Sequence, residues 1–459
     1  MTQTAKKSPF SMNVDLMHGP IFKNLLLFML PIFISSLFQQ LYNTVDTMIV
    51  GNVLGDTALA AIGSCGSIYE LLVGFGIGIG NGLAIVAARS YGAQDEDLLK
   101  RTVVGSVVIG LIASLVITTA GFFGLHALLQ LLDTPAEILE DAYSYIIVID
   151  LGVVVMFMYN LCAGLLRAIG NSVMPLVFLL ISSGLNVVLD LLFIARMGMG
   201  VQGAAVATVI SQGVSVVLCI LYIFLRVKIL LPEKQHFRVG SHLYWELFSQ
   251  SISMGLMSSI VSAGSVVLQY GINGLGTLTI AGHTAARKLF SFTSMPLISM
   301  ANAGSTFVSQ NRGAAQPERV RKGMRTMYLC SVVIMAAEVV LMQLFARQLV
   351  QLIGDAVTGR TDPADIWAHQ GRFYDALRPT IEPGGFASAE EALALRCAHL
   401  RAVQGLFART SCLIFTLGLT ECWADRESGR VYPTCPGVVA GQFDAGRHVL
   451  LNLRHAEVL

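Results

Sequence analysis

Two aspartates stand inside long apolar stretches of this sequence. Asp46 ends the polar run 39–46, and Asp190 follows Asn186 by four residues, a spacing that places both on one face of a helix. Burying charge at membrane depth costs on the order of several kcal/mol, so ionisable residues there mark functional sites. Two carboxylates facing one cavity can hold a proton or a monovalent cation such as Na⁺. The alternative is that each aspartate lies solvated at the outer end of its helix.

The composition is that of a membrane protein. Hydrophobic residues make up 54% of the 459 residues, charged residues 13%, and the mean hydropathy is +0.67. Soluble domains have roughly 25% charged residues, so the composition argues against a soluble enzyme, a disordered chain or a coiled coil as the main body. The net charge of +1 gives no basic field for nucleic acid. The eight cysteines show no spacing typical of a zinc site or a disulfide scaffold.

Nine apolar runs are long enough to cross a bilayer as helices, for which about 20 residues suffice. Lysine and arginine concentrate in alternate loops, a pattern that predicts a cytoplasmic N-terminus in a bacterial inner membrane and an external tail after nine spans. Residues 134–137 predict a capping box that starts the helix of the fourth span, with Pro135 at its first position. The runs lie near 22–49, 57–88, 102–124, 143–166, 173–195, 201–225, 247–271, 279–309 and 327–346.

The membrane region partly repeats with an offset of 221 residues. The segment 52–55 aligns with 273–276, and 91–93 aligns with 312–314. The repeat unit contains six spans, an even number, so the two copies share one orientation, as in several transporter folds. The second copy stops after three spans.

Further polar side chains in the spans are candidates for lining a cavity. Glu70 in span two and Arg287 in span eight fall at similar depths in the two copies, so they could pair across the lobes or line the cavity. Snorkelling or a local helix contact is the alternative for both. The alternating glycines of 74–82 indicate close helix packing, not a nucleotide-binding loop. The remaining cavity candidates are Gln39, Tyr42 and Asn43.

Several motifs resemble those of the multidrug and toxic compound extrusion (MATE) family. The segment 31–61 resembles the family's first-helix signature, and 90–93 and 166–171 resemble later motifs. The resemblance covers about residues 12–345. It implies an all-α polytopic membrane protein that exports amphipathic, often cationic drugs against a proton or sodium gradient.

The resemblance also implies a cation site in the first lobe. Loading its aspartates with a proton or Na⁺ would bend the first helix at Pro31 and release the substrate outward. Apart from the coupling ion no cofactor is expected. The expected partners are small amphipathic or cationic substrates and membrane lipid, without nucleic acid, and the chain is expected to be a monomer. The positions that match the family's site are Asp46, Asn160, Asn186, Asp190 and Thr208.

The sequence departs from the family pattern in its second half. Family members have twelve spans, whereas about nine are found here. The prediction is a complete six-helix lobe over 1–226 and a partial lobe of three helices over 227–345. Glu338 in span nine is the deep candidate for an acidic site that some members have in the second lobe.

The tail, residues 346–459, differs in composition, with eleven arginines and no lysine. It predicts a soluble α/β fragment, because 388–391 forms a capping box and 412–417 has the pattern of a buried strand. The segments 415–423 and 432–437 resemble the GSCFA family, relatives of the SGNH/GDSL hydrolases.

The GSCFA family's nucleophilic motif is not intact here, since Gln343 stands where the serine should be. We therefore expect no catalysis, and we interpret the chain as a chimera of two truncated genes joined near Phe345. The predicted function is secondary-active drug efflux, weakened or abolished by the truncation. One alternative is a flippase for a lipid-linked or polysaccharide precursor, which would need a more basic cavity. The other is a membrane-anchored GSCFA-type hydrolase, which would need a serine setting that Ser411 and Ser428 lack.

Overall fold

The computed structural model describes two compact units. The first comprises Met1–Tyr270 and Ser294–Val332, and the second comprises Gly271–Thr293 and Val333–Leu459. The residues described are 13–132, 134–273, 290–291, 293–358, 361–378, 381–382, 384–409, 421–426, 431–432, 444 and 446–452.

Helices dominate the first unit. Helix α7 continues into a π-helical turn at Leu191–Arg196, and short 3₁₀ turns lie at Lys228–Leu230 and Lys234–Phe237. Helix α11 extends beyond this unit into the second. The helices are α1 (Ile21–Leu54), α2 (Asp56–Ser64), α3 (Gly66–Gly92), α4 (Glu96–Leu131), α5 (Ala136–Leu151), α6 (Val153–Ala168), α7 (Val173–Asp190), α8 (Gly200–Arg226), α9 (Ser241–Asn273), α10 (Met295–Gly313) and α11 (Pro317–Thr358).

Among the described residues, six helices are long and apolar enough to cross a membrane. The pair α5 and α6, bent by 45°, makes a seventh if it is one span. These seven correspond to seven of the nine predicted spans. Of the other two, 247–271 coincides with helix α9, and 279–309 begins outside the described residues and ends in α10. The mostly helical membrane fold is therefore confirmed, with about six clear spans.

The helix ends at one turn agree with the offset of the predicted internal repeat. Helix α3 ends at Gly92 and α10 at Gly313, which are 221 residues apart, and the next helix begins four residues later in each copy. Gln94 and Ala315, also 221 apart, both adopt positive φ values, 56° and 53°. The two copies therefore share the same turn between equivalent helices.

Glycines of α3 allow neighbouring helices to approach closely, as predicted. A Cβ atom at Gly78 would lie 2.6 Å from the Met254 carbonyl oxygen of α9, and one at Gly82 would lie 2.7 Å from Ser251 Cα. Real Cβ atoms essentially never come within 3.0 Å, so only glycine fits there. In the apolar core, Leu83 of α3 is fully buried with residues of α6.

The ends of α3 and α10 meet at one end of the bundle, which we call the N-terminal face because residues 13–19 also lie there. A Cβ at Gly92 would lie 2.6 Å from the Gln310 carbonyl carbon, and one at Gly313 would lie 2.8 Å from the amide nitrogen of Ala93. Arg89 of α3 forms an ion pair with Glu246 of α9 beside this contact.

The segment 13–19 is held at the N-terminal face mainly through its backbone. Val14 N donates to Gly170 O at 2.9 Å, and the Asn311 side chain donates to Leu16 O at 3.1 Å. The Arg319 guanidinium donates to three carbonyl oxygens of this segment, those of residues 16, 18 and 19, at 2.9–3.3 Å. Burial acts to raise the pKa of Asp15, but backbone N–H groups and the neighbouring histidine ring outweigh it and lower that pKa.

One local prediction is corrected. The capping box at 134–137 is wrong, because α5 begins at Ala136, Pro135 is its N-cap, and no side chain caps the helix. A proline N-cap has no side-chain oxygen to accept the first N–H groups. The predicted junction near Phe345 lies within α11, which continues to Thr358, and the domain boundary there stays a prediction.

In the second unit, β1 (Ile366–His369) and β2 (Arg372–Asp375) form an antiparallel hairpin. Its turn residues Gln370 and Gly371 have φ values of 48° and 75°, as two-residue hairpin loops require. The strands β3 (Glu421–Asp425), β4 (Val431–Tyr432) and β5 (His448–Asn452) form an antiparallel sheet in the order β4-β3-β5.

Helix α12 (Ala389–Arg409) of the second unit begins where the sequence predicts. The Glu391 amide donates to Ser388 Oγ at 3.1 Å. Within the unit, buried Arg396 donates to Asp375 Oδ1 at 2.8 Å and lies 3.3 Å from Asp365 Oδ2. The strand predicted at 412–417 lies outside the described residues.

Candidate cation-coupling site

The structure brings together the two aspartates on which the sequence prediction rests. Asp46 lies on α1 and Asp190 is the last residue of α7, and their carboxyl groups face each other within hydrogen-bonding reach. Asp190 is fully buried, and Asp46 is half-buried with its Oδ1 atom shielded. The two aspartates are 144 positions apart in sequence, so only the packing of α1 against α7 explains their contact.

The side-chain amide of Asn186 is the third buried polar group of this site. It lies one turn before Asp190 on α7 and is 1% exposed. Among the described residues, no donor reaches Asp46 Oδ1 or either oxygen of Asp190, and the Asn186 amide has no partner. Burying a carboxylate without a donor or counter-charge is strongly unfavourable. The arrangement therefore suits an added proton or monovalent cation.

The composition of the site suits a proton or a monovalent cation. In the part of the chain that the structure describes, no group of three or more His, Cys, Asp or Glu side chains could hold a metal ion. Two carboxyls can instead share one proton, or can bind one Na⁺ together with the Asn186 oxygen. A π-helical turn follows Asp190 directly, and such turns are frequent at functional sites.

Tyrosine and glutamine side chains surround the Asp46 side of the site. The side-chain amides of Gln39 of α1 and Gln212 of α8 lie near the Tyr42 hydroxyl. The tyrosines Tyr69 of α3 and Tyr145 of α5 also lie near Asp46. Tyr42 and Gln39 are among the residues that the sequence predicts for the cavity, whereas Gln212 is not. The four-residue spacing of Gln212 from Thr208 on α8 could have indicated it.

Among the described residues, no hydrogen bond joins Asn160 or Thr208, the other members of the predicted cation site, to either aspartate. Asn160 of α6 donates to Met156 O of its own helix at 2.8 Å and lies against Gly80 of α3. Thr208 is buried on α8. The roles implied for Asn160 and Thr208 stay predictions.

The predicted cavity residues differ in their settings. Asn43 and Glu70 are exposed, and Arg287 lies outside the described residues, so its pairing with Glu70 stays a prediction. Pro31 lies inside α1, where Ser35 Oγ donates to its carbonyl oxygen at 2.8 Å. Glu338 is half-buried on α11, and none of the described residues is a hydrogen-bond partner for its Oε1 atom.

The structure also reveals a buried carboxyl that the sequence analysis missed. Asp150 lies in the last turn of α5, the first helix of the fourth predicted span, and is 0% exposed. The rule that selected Asp46 and Asp190, an acidic side chain inside an apolar run, applies equally to Asp150.

Comparisons with known proteins point to one family. The MatE family model matches residues 31–192 and 254–358. The probable multidrug resistance protein YpnP of Bacillus subtilis is 29% identical over 310 residues, which cover 67% of this chain and 68% of that protein. The multidrug export protein MepA of Staphylococcus saprophyticus is 25% identical over 338 residues, or 73% of this chain and 74% of that protein.

Solved structures agree with the sequence matches. The crystal structure of MATE in the bent conformation matches with a TM-score of 0.67 at 25% identity, covering 75% of this chain and 78% of that chain. The family model continues beyond the predicted junction at Phe345. These matches do not support the GSCFA resemblance of the tail, which stays a prediction with the proposed gene fusion. The chain is an integral membrane protein that belongs to the MATE family of multidrug efflux transporters.

Proposed function

We propose that this chain exports amphipathic or cationic small molecules in exchange for H⁺ or Na⁺, and that the coupling ion binds at Asp46 and Asp190. The observation that supports this most is the pair of buried carboxyl groups that face each other beside Asn186. Among the described residues, no hydrogen-bond donor reaches Asp46 Oδ1 or either carboxyl oxygen of Asp190. The multidrug names of YpnP and MepA support the class of substrate.

In the proposed mechanism the coupling ion neutralises the carboxyl pair and changes how α1 packs. Without the ion, two carboxylates repel each other and favour separation of α1 from α7. Proline lacks an N–H group, so α1 lacks one helical hydrogen bond at Pro31 and bends there most easily. Ion binding draws Asp46 towards Asp190, rearranges the side chains around Tyr42, and releases the substrate.

We further propose that the N-terminus is cytoplasmic. Lysine and arginine concentrate in the loops on the N-terminal side of the bundle, as expected for the cytoplasmic side. The coupling ion then enters from outside and leaves to the cytoplasm. The GSCFA-type hydrolase is not favoured, because the matches of the membrane region are transporters. Ser411 and Ser428 lie outside the described residues, so their setting stays a prediction. No observation favours a flippase.

Dye efflux from proteoliposomes tests the proposal. The full chain and its variants Asp46→Asn and Asp190→Asn are compared under an imposed pH gradient and, separately, an imposed Na⁺ gradient. Asp141→Asn is the matched control, because Asp141 makes the same chemical change at an exposed position of α5. We expect each site variant to lose at least about tenfold in gradient-driven efflux, since each removes an interaction with the coupling ion.

The gradient that drives efflux identifies the coupling ion. Equal efflux by the wild-type chain and both site variants would refute coupling at the aspartate pair. Absence of efflux by the wild-type chain under both gradients would refute transport by this chain.

A further inference from the structure

Asp150 is a buried carboxyl that the proposed coupling site does not use. It lies in the last turn of α5, its side chain is 0% exposed, and both of its carboxyl oxygens are shielded from solvent. No partner of either oxygen occurs among the described residues. A permanently ionised carboxylate in this setting would be strongly destabilising.

The environment of Asp150 comes mainly from α4. A Cβ at Gly121 would fall 2.5 Å from Asp150 Oδ2, so the carboxyl fills the space that the glycine leaves open. Thr118 Oγ1, one turn earlier, donates to the backbone carbonyl of Asp150 at 2.9 Å and not to its carboxyl. The contacts on α4 are therefore close but supply no charge.

The other helices packed against α5 also leave the carboxyl without a charged partner. Helices α2, α3, α6 and α8 all contact α5. No hydrogen bond or ion pair joins a titratable side chain to Asp150 within the described part of the chain. The titratable groups of these elements and α4 in the span interior are Cys65 between α2 and α3, Tyr69 and Glu70 of α3, His126 of α4, Tyr159 and Cys162 of α6, and Cys219 and Tyr222 of α8.

Asp150 lies deep in the membrane region and at a break in a span. At 1.5 Å per residue, it is about 21 Å along α5 from Ala136, whereas the hydrocarbon core is roughly 30 Å thick. Immediately beyond it, at Gly152, the span bends by 45°. A Cβ at Gly152 would lie 3.0 Å from Val209 Cγ1 of α8, so the bend packs tightly against that helix.

We propose that Asp150 is a second proton-binding site of the first lobe, loaded with a proton in this conformation and emptied when the bend between α5 and α6 rearranges. The carboxyl O–H bond breaks on release and the proton passes to water that reaches the opened bend. A proton fits better than a metal ion, because a metal ion needs several oxygen ligands and, among the described residues, Asp150 supplies the one carboxyl of this pocket. The inference does not depend on coupling at Asp46 and Asp190.

Infrared spectroscopy of the full chain in lipid tests this proposal through the absorption band of protonated carboxylic acids. The background variant Asp46→Asn/Asp190→Asn removes the carboxyls of the coupling site. We expect a protonated-carboxyl band in this background that disappears when Asp150→Asn is added and is unchanged when Asp141→Asn is added. Asparagine is nearly isosteric with a protonated aspartate, so Asp150→Asn should fold.

Adding the cationic dye ethidium should reduce this band, and raising the pH should also reduce it. In weak buffer, the number of protons released when the dye is added should fall by one per chain in Asp150→Asn. A second variant, Gly121→Ala, retains Asp150 but crowds its carboxyl and should shift the band. An unchanged spectrum on removal of Asp150 would overturn the proposal. A band that responds to neither ethidium nor pH would also overturn it, because Asp150 would then be permanently neutral. Efflux with the Asp46 and Asp190 variants tests the coupling site separately.

Discussion

Replacing Gly92 with alanine should force apart the ends of α3 and α10 at the N-terminal face. The new Cβ would lie 2.6 Å from both the carbonyl carbon and the Cα of Gln310, where 3.0 Å is the practical limit. The obstacle is backbone, which cannot swing aside as a side chain can. Because the carbonyl oxygen of Gln310 lies nearer still, the helices must separate by roughly one ångström. Overpacking of this kind costs about 1–3 kcal/mol. If this cost applies only to the arrangement in which the ends of α3 and α10 touch, the population of that arrangement falls by roughly 5-fold to 150-fold relative to one in which the two ends are apart.

Electron spin resonance between labels at positions 94 and 315 measures this separation. Both residues are exposed and occupy equivalent turns next to the contact. In Gly92→Ala we expect a broader distribution shifted to longer distances, together with a lower unfolding temperature. The control is Gly184→Ala on α7, where a Cβ would meet nothing within 4 Å. That variant should keep the distances and gain about 0.5–1 kcal/mol from better helix propensity.

An unchanged label distance and an unchanged unfolding temperature in Gly92→Ala would refute the packing argument. The double variant Gly92→Ala/Gly313→Ala adds a stricter test. One separation of the helices relieves both contacts, so the combined loss should be smaller than the sum of the single losses. Additive losses would show that the two glycines do not report on one interface.

Two further predictions concern arginines. Arg319→Lys should weaken the binding of residues 13–19 to the N-terminal face, because a lysine cannot donate to three carbonyl oxygens in a fixed fork. We expect faster amide hydrogen exchange in residues 13–19 of this variant. The control Arg321→Lys, at an exposed position, should leave the exchange rate unchanged. Arg396→Met should destabilise the second unit by about 3 kcal/mol, because it removes the buried guanidinium that contacts Asp375 Oδ1 and Asp365 Oδ2, while Arg378 still pairs with Asp375. Exposed Arg401→Met is the control for chemical denaturation, and equal midpoints for both variants would contradict the expected effect.

Much of the membrane fold follows from the sequence because its determinants are local or repeated. The 221-residue offset predicts where α3 and α10 end, and the four-residue spacing of Asn186 and Asp190 predicts one buried helix face. The partner of Asp190 is less local, since its pairing with Asp46 depends on how α1 packs against α7. The sequence allows that contact but does not fix its distance.

The features that sequence analysis missed depend on tertiary contacts. Gln212 joins the site only because α8 lies beside Tyr42, and Asp150 is buried only because Gly121 leaves room for its carboxyl. The capping box at 134–137 was wrong because capping depends on where the first helical hydrogen bond forms, which a four-residue pattern does not decide.

The reciprocal contact of Gly92 and Gly313 has an evolutionary consequence. After a duplication, the two halves of a gene normally accumulate different substitutions. Here each glycine faces the main chain of the other half, and no substitution of the facing side chain can relieve a clash with main-chain atoms. Selection therefore acts on both glycines at once, and the trace of the duplication should persist longest where the two halves touch.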